Sequence, residues 1–389
     1  NIIVPETASQ FLIDLMTVLG LKFDAKYSRQ ADLAGLRYRH ICSLVDQDLD
    51  GDGICALMQN FIALFWPSLY DFDFVQKLET PIKRATFGSK VVSFYTETEF
   101  YRWARSCPQA NRYHIKYFKG LGANTPAQSR LIFKDFKQNL ITFRYDADAG
   151  RFYEIYFGKD TECRKRELSR QFNPDDEIAV DSTAHVDCTE YLRKRHFAYC
   201  KDNIERKLSH VIDGQNQSGR KILMAAAQYF TSASKTARVS QFAGHIIEKA
   251  NYHHGEASLQ NAIFVRGYYG PGGVQMRLLV PDGDFGTRAE GGKNHASARY
   301  AHVALNQAIF SALFPPDDMY LLQYTPIDGS VYEPDYFVPV VPLAICETRQ
   351  MPAHGWKINI WARELVDVIN IVKHMIFNGT GAVPVYMRP

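Results

Sequence analysis

VDQDLDGDGI, residues 45–54, sets Asp46, Asp48 and Asp50 at alternate positions, with Asp52 two residues further on. The preceding residues, HICSLVD at 40–46, form a short β-favouring apolar run, and ICALMQNFIALF at 54–65 follows with helical spacing of its apolar side chains. A strand, an acidic loop and a helix are therefore expected in that order. Carboxylates crowded this closely repel one another unless a cation neutralises them. An all-oxygen donor set favours Mg²⁺, which keeps several waters and bridges to phosphate. A calcium-binding EF-hand shares the D-x-D-x-D-G opening, but it needs a glutamate at its twelfth position, here Leu57, and a helix where this chain has a β-favouring run. A plain surface turn would seldom stack alternating aspartates onto a buried strand.

Working outward, VVSFYT at 91–96 reads as a strand, TETEFYRWARS at 96–106 as a capped helix, and HIKYFKGLG at 114–122 as a strand entering a glycine turn. Strands alternating with helices predict a mostly parallel, Rossmann-like α/β sheet. The charged stretch 144–187 suggests a domain boundary near residue 175. Beyond it, RKILMAAAQYF (220–230), QFAGHIIEKANY (241–252) and EASLQNAIFVRGY (256–268) read as successive helices, followed by the glycine-rich DGDFGTRAEGGKN at 282–294. That pattern suits a helix-turn-helix with a wing, an α+β unit over 176–316. Residues 317–389 suggest a further mixed unit that the sequence cuts short.

At 389 residues, 46% apolar and 22% charged, the chain has the balance of a folded multidomain protein. No run is long and apolar enough to span a membrane, and residues 1–10 lack the features of a secretory signal. The Cys residues, 7 in number, never fall in CxxC spacing, which argues against zinc ribbons and disulfide frameworks and for a reducing compartment. A net charge of +3 says little about a polyanion partner. Basic residues do cluster locally, at Arg164, Lys165, Arg166 and Arg170, and at Arg193, Lys194, Arg195, Lys201, Arg206 and Lys207. Such clusters are more often solvated helix faces than phosphate contacts.

In GGKNHASARYAHVALN, residues 291–306, Arg299 directly precedes Tyr300, with small residues upstream that would let a nucleic-acid backbone approach. One tyrosine among 22 is a weak signal for a nucleophile, since tyrosines more often serve cores and interfaces. YHHGE at 252–256 offers His253 and His254, but adjacent histidines on a helix point apart and no ligand-spaced partner follows. Hydrogen bonding to phosphate is the better reading of that pair.

Taken together, these stretches resemble the type IIA DNA topoisomerases, in their eukaryotic-type branch. DQDLDGD at 46–52 resembles the acidic motif of the family's Toprim domain, and KYFKGLG at 116–122 the glycine-rich motif closing it. YHHGEASL, LLVPDGDFGTRAEGGK, SARYA and FPPDD follow in the family's order. The resemblance covers nearly the whole chain. It implies a Toprim domain over 1–175, a winged-helix domain over 176–316 and the start of a tower domain over 317–389. It implies Tyr300 as the nucleophile forming a 5′-phosphotyrosyl bond, with Arg299, Arg220 and His254 around the scissile phosphate and Asp46, Asp48 and Asp50 on the metal. Lys116, Lys119, Lys221, His253, Lys293 and Pro352 become expected DNA contacts. Mg²⁺ is the implied ion, with Mn²⁺ as a substitute, and ATP is needed only by the full-length enzyme. Double-stranded DNA and a homodimer with composite active sites are the implied partners. Viral members would act in the host cytoplasm and cellular ones in the nucleus.

Departures from the family pattern modify these expectations. The glutamate of the family's EGDSA-like motif has no counterpart here, so the sequence is expected to begin too late for a complete metal site. QMPAHGW at 350–356 stands where the family has GIGTGW, putting Pro352 at the position of the isoleucine wedge that bends DNA. DGFKPGQRK becomes DGQNQSGRK, which keeps Arg220 but changes the loop before it. No ATPase motif is visible, so binding, nicking and resealing of DNA are expected without autonomous strand passage. Rival readings are a Toprim nuclease or primase, which would release free ends, and a non-catalytic winged-helix protein.

Overall fold

The computed structural model describes residues 10–118, 120, 124–134, 136–171, 185–232, 234–270, 273–325 and 332–379. The chain divides into two compact units, Asn1–Asp202 and Asn203–Pro389. The boundary expected near residue 175 falls outside the described residues, and the first unit continues past it.

In the first unit, α1 (Gln10–Leu19) precedes β1 (Ile41–Ser43), the acidic loop and α2 (Leu49–Phe65), the strand, loop and helix that residues 40–65 predict. A four-stranded sheet runs in the order β1, β2 (Val75–Leu78), β6 (Leu140–Arg144), β7 (His185–Asp187). β1 and β2 pair in parallel, as do β6 and β7, while β2 and β6 are antiparallel. β3 (Lys83–Phe87), β4 (Lys90–Phe94) and β5 (His114–Tyr117) form a separate antiparallel sheet, ordered β4-β3-β5. The second strand-helix-strand stretch thus does not extend the first sheet. A short turn at Gly88, whose φ is 59°, reverses the chain between β3 and β4 into a hairpin. Between β4 and β5 lies α3 (Glu97–Ser106), whose N-cap Thr96 accepts from the Glu99 N–H at 3.2 Å.

α4 (Pro126–Lys134), α5 (Ala149–Phe157), α6 (Thr161–Leu168) and α7 (Cys188–Tyr191) complete this unit, and α7 runs through a π-turn at Leu192–His196 into α8 (Phe197–Lys207). The division between the units falls within α8.

The second unit builds its core from α9 (Gln217–Tyr229), α10 (Val239–Lys249) and α11 (Glu256–Gly267), the succession of helices read from the sequence. Their buried side chains include Ile222, Ala226, Phe242, Ile246, Leu259 and Ile263. A small sheet follows in the order β8 (Ala237–Arg238), β10 (His302–Leu305), β9 (Leu279–Asp282), with the glycine-rich segment joining β9 to β10 as a wing. After α12 (Gln307–Leu313) come the hairpin β11 (Arg349–Ala353) and β12 (Trp356–Ile360) and helix α13 (Leu365–Asn378). The residues beyond 317 are tied to the winged-helix part. The Asp213 carboxylate accepts from the Phe337 N–H at 3.0 Å, and Lys221 meets Glu333 at 2.8 Å.

Candidate DNA-cleavage site

The acidic loop owes its shape to two glycines and a cap. Asp48 is the N-cap of α2, and its side chain accepts from the Gly51 N–H at 2.7 Å. A Cβ on Gly51 would lie 2.1 Å from the Asp46 carbonyl oxygen, and one on Gly53 2.8 Å from the Tyr199 ring. Only glycine lets the helix start this close to the strand end. Asp50 and Asp52 occupy the first turn of α2, where the helix dipole favours negative charge.

Asp46 and Asp48 are exposed, and a Cβ on Gly120 would lie 3.4 Å from both carboxylate oxygens of Asp46. The acidic motif and the glycine-rich motif of the sequence therefore meet. Loss of water around the Asp48 carboxyl, together with the charges of Asp50, Asp46 and Asp52, pushes its pKa up from the usual carboxylate range, while the bond from Gly51 opposes this. Among the described residues, no group of three or more His, Cys, Asp or Glu side chains is already gathered as a metal cage. Mg²⁺ does not require one, since it binds through one or two carboxylates plus waters and phosphate oxygens. Hard carboxylate donors whose mutual repulsion a cation would relieve fit a divalent ion.

Asp52 takes no part in that exposed set. Its carboxylate is 2.6 Å from Lys77 Nζ, 3.5 Å from Arg195, and accepts from the Tyr191 hydroxyl at 2.9 Å. Glu79, fully buried, pairs with Lys77 at 3.0 Å and Arg195 at 2.8 Å. Burial alone would raise the Glu79 carboxyl, but Arg195 and Lys77 override it and hold the pKa down to about 2. This charge network is invisible in the sequence, where Arg195 reads as part of a basic cluster. Other members of those clusters are also committed within the chain: Arg164 donates to the Ile155 carbonyl at 3.1 Å, and the Arg170 guanidinium lies 4.1 Å from the Phe197 ring centre.

In the second unit, Tyr300 sits at the end of the wing, on a turn that its N–H closes by donating to the Ser297 carbonyl at 2.9 Å. Its neighbours Ala298 and Ala301 are buried, which turns the tyrosine side chain outward at 67% exposure. The Arg299 guanidinium lies 5.0 Å from the Tyr300 ring centre. His295, which the sequence does not single out, stacks on Phe264 at 3.7 Å and contacts Asn261 at 3.3 Å, anchoring the wing to α11. Gly292, at φ 79°, lies against the Tyr268 ring, where a Cβ would approach to 2.8 Å.

Arg220 is largely buried. It donates to the Gln215 carbonyl at 2.9 Å and lies 4.0 Å from Asp213. His254 is half-buried, with Arg206 about its ring nitrogens at 3.1 and 3.0 Å and Tyr252 packed edge-on. His253 and Lys293 are exposed. Lys116 donates to Gln128 at 3.2 Å, and Lys119 lies outside the described residues. Pro352 is exposed near the tip of the β11–β12 hairpin, beside a turn at His354 and Gly355 whose φ values, 44° and 102°, follow the type I′ pattern.

Lys221 corrects the sequence reading. Rather than facing DNA it is buried, donating to the Ala250 carbonyl at 2.7 Å and pairing with Glu333. Lys221→Ala should therefore lower stability by about 2 kcal/mol, because Glu333 and a buried carbonyl lose their donor. Thermal melting checks this; a weakened DNA affinity with an unchanged melting temperature would restore Lys221 as a DNA contact.

Two family models cover most of the chain: the C-terminal associated domain of TOPRIM matches residues 78–204, and the DNA gyrase/topoisomerase IV A-subunit model matches residues 206–389. The chain belongs to the type II DNA topoisomerase family. It is 38% identical to DNA topoisomerase 2 of African swine fever virus over 374 residues, covering 94% of this chain and 31% of that protein. Mouse DNA topoisomerase 2-alpha is 29% identical, with 97% and 25% covered. The chain thus spans about a third or less of the length of these relatives. Among solved structures, the Plasmodium falciparum topoisomerase II DNA-binding, cleavage and re-ligation domain superposes with a TM-score of 0.77 at 29% identity, covering 99% of this chain and 53% of that one. The topoisomerase fold class read from the sequence, Toprim followed by winged helix, agrees with that match, and the four-stranded sheet is mostly parallel, its β2–β6 pairing alone being antiparallel. The family implies a divalent metal. No described helix is long and apolar enough to cross a membrane.

Proposed function

We propose that this chain is the DNA cleavage and resealing core of a type II topoisomerase, with Tyr300 as the nucleophile. The observation that carries the reading is the outward display of Tyr300 between two buried alanines, with Arg299 beside its ring. Attack by the phenol on a backbone phosphate forms a phosphotyrosyl ester and expels the 3′-oxygen, and reversal of the same step reseals the strand. Arg299 supplies positive charge at the reacting phosphate, and Arg220 and His254 are its proposed companions. Asp46, Asp48 and Asp50 would hold Mg²⁺ or Mn²⁺, which stabilises charge on the departing oxygen when bound. A homodimer with composite active sites is the proposed assembly.

His253, Lys293, Lys116 and Lys119 are proposed backbone contacts, and Pro352 at its hairpin tip is the candidate wedge. Strand passage and ATP use are assigned to the longer protein. In the proposed domain plan, 317–389 begins the tower. Viral relatives suggest the host cytoplasm as the place of action.

The test is denaturant trapping. Supercoiled DNA incubated with the protein and Mg²⁺ should yield breaks with protein on the 5′ ends, none of them in EDTA, and DNA affinity should fall steeply with salt. Free ends would favour a Toprim nuclease, and an absence of breaks a purely binding module.

A further inference from the structure

The acidic loop alternates two exposed carboxylates with one inward amide, and the inward residue is clamped. Gln47 is half-buried between exposed Asp46 and Asp48. Its amide nitrogen donates to the Glu79 carboxylate, and its amide oxygen accepts from the Thr80 N–H at 3.4 Å. Glu79 is kept ionised by Lys77 and Arg195, so it can only accept. That fixes which way the Gln47 amide points: NH₂ toward Glu79, oxygen toward Thr80. On either side of this inward amide the Asp46 and Asp48 side chains are exposed. The clamp on Gln47 therefore fixes the stretch of loop from which both carboxylates project.

The same two cations grip the far end of the loop. Lys77 and Arg195 both reach Asp52 in the first turn of α2, at 2.6 and 3.5 Å. The loop carrying Asp46, Asp48 and Asp50 is thus anchored at Gln47 and again at Asp52 by one buried set of charges.

We propose that Gln47, acting through Glu79, is a positioning residue that presets the acidic loop for a divalent cation. This rests on the assignment of the loop as the metal site. It assigns no ligand role to Gln47 or Glu79; both act through the direction they give to Asp46 and Asp48. Preset donors bind an ion without first having to be ordered, so loosening the clamp should weaken binding while leaving the number of sites unchanged.

The experiment is Mn²⁺ titration of the chain, followed by loss of the free-ion electron paramagnetic resonance signal, on the parent, Gln47→Ala, Glu79→Gln and their double variant, with Asp46→Asn/Asp50→Asn as reference. The expected result is Mn²⁺ affinity roughly tenfold weaker for Gln47→Ala at unchanged stoichiometry. Because the two residues act as one unit, the double variant should bind no more weakly than the weaker single one. Circular dichroism confirms folding, and Gln47→Ala carries the test even if Glu79→Gln unfolds. Parent-like affinity in Gln47→Ala, or strictly additive losses in the double variant, would overturn the proposal. If the Asp46→Asn/Asp50→Asn reference binds Mn²⁺ like the parent, the metal-site reading falls and this proposal with it; if the reference loses binding while Gln47→Ala does not, only the positioning role is lost.

Discussion

Tyr300→Phe should abolish protein-linked DNA ends while leaving DNA affinity within about twofold of the parent. The substitution removes one oxygen from a side chain that is already two-thirds exposed, so neither the turn at Ser297–Tyr300 nor the burial of Ala298 and Ala301 depends on it. The phenyl ring keeps its contact with Arg299, and the surface offered to backbone phosphates is unchanged. What disappears is the atom that bonds to phosphorus, and a covalent step has no partial substitute for its nucleophile. Denaturing gels of end-labelled DNA after Mg²⁺ incubation read the result directly. Persistence of covalent adducts in the variant would sink the assignment of Tyr300. Arg299→Ala provides a useful contrast within the same assay, since a single charge donor of this kind is worth roughly 10²- to 10³-fold in rate, leaving slow but detectable capture.

Glu79→Ala should be the most destabilising single change in the first unit, by roughly 3–5 kcal/mol, because it leaves Lys77 and Arg195 buried with only Asp52 to balance them. For a unit of this size that corresponds to a fall of about 10 °C or more in melting temperature. The cost comes from stranding charge rather than from losing an attraction, so Lys77→Met combined with Glu79→Leu, which removes one charge of each sign, should recover much of the loss. Melting followed by circular dichroism distinguishes these cases. A Glu79→Ala variant that melts with the parent would show that water or rearrangement already compensates the cations. The acid limb of stability should carry the same signature. The folded-state pKa of Glu79 is depressed from 4.5 to about 2, so its contribution is fully present above about pH 4.5 and is lost as pH falls toward 2. Glu79→Gln should flatten that limb.

Local pattern makes the acidic loop legible: the β-favouring run 40–46, the aspartates and the helical spacing of 54–65 lie within one continuous stretch, and β1 and α2 follow from it, whereas Asp48 as N-cap shows only in the folded loop. The helices of the second unit are equally visible because each carries its own apolar stripe. Sheet partnership is not. Nothing local in VVSFYT or HIKYF says that both will pair with Lys83–Phe87 in a separate antiparallel sheet, because pairing depends on residues distant in sequence. The same limit hides the roles of charged side chains. Arg195, 116 residues from Glu79, reads as one of a basic cluster on a solvated face, and Lys221, 112 residues from Glu333, as a DNA contact, until tertiary contacts give each a carboxylate partner. Tyr300 can be picked from 22 tyrosines only through the motif around it; its exposure between buried alanines is a property of the folded wing.

The ties between Asp213 and the Phe337 backbone, and between Lys221 and Glu333, bear on how the second unit comes apart. Both connect the winged-helix part to residues that the sequence alone would assign to a neighbouring domain. With a shared set of buried polar partners, the two segments should unravel cooperatively, as one thermal event in calorimetry. A protein shortened to end before residue 317 would leave Lys221 with the Ala250 carbonyl but no counter-charge, and Asp213 with Gln215 but without the Phe337 N–H, and should behave as a loosened, protease-sensitive version of the wing rather than as an independent module.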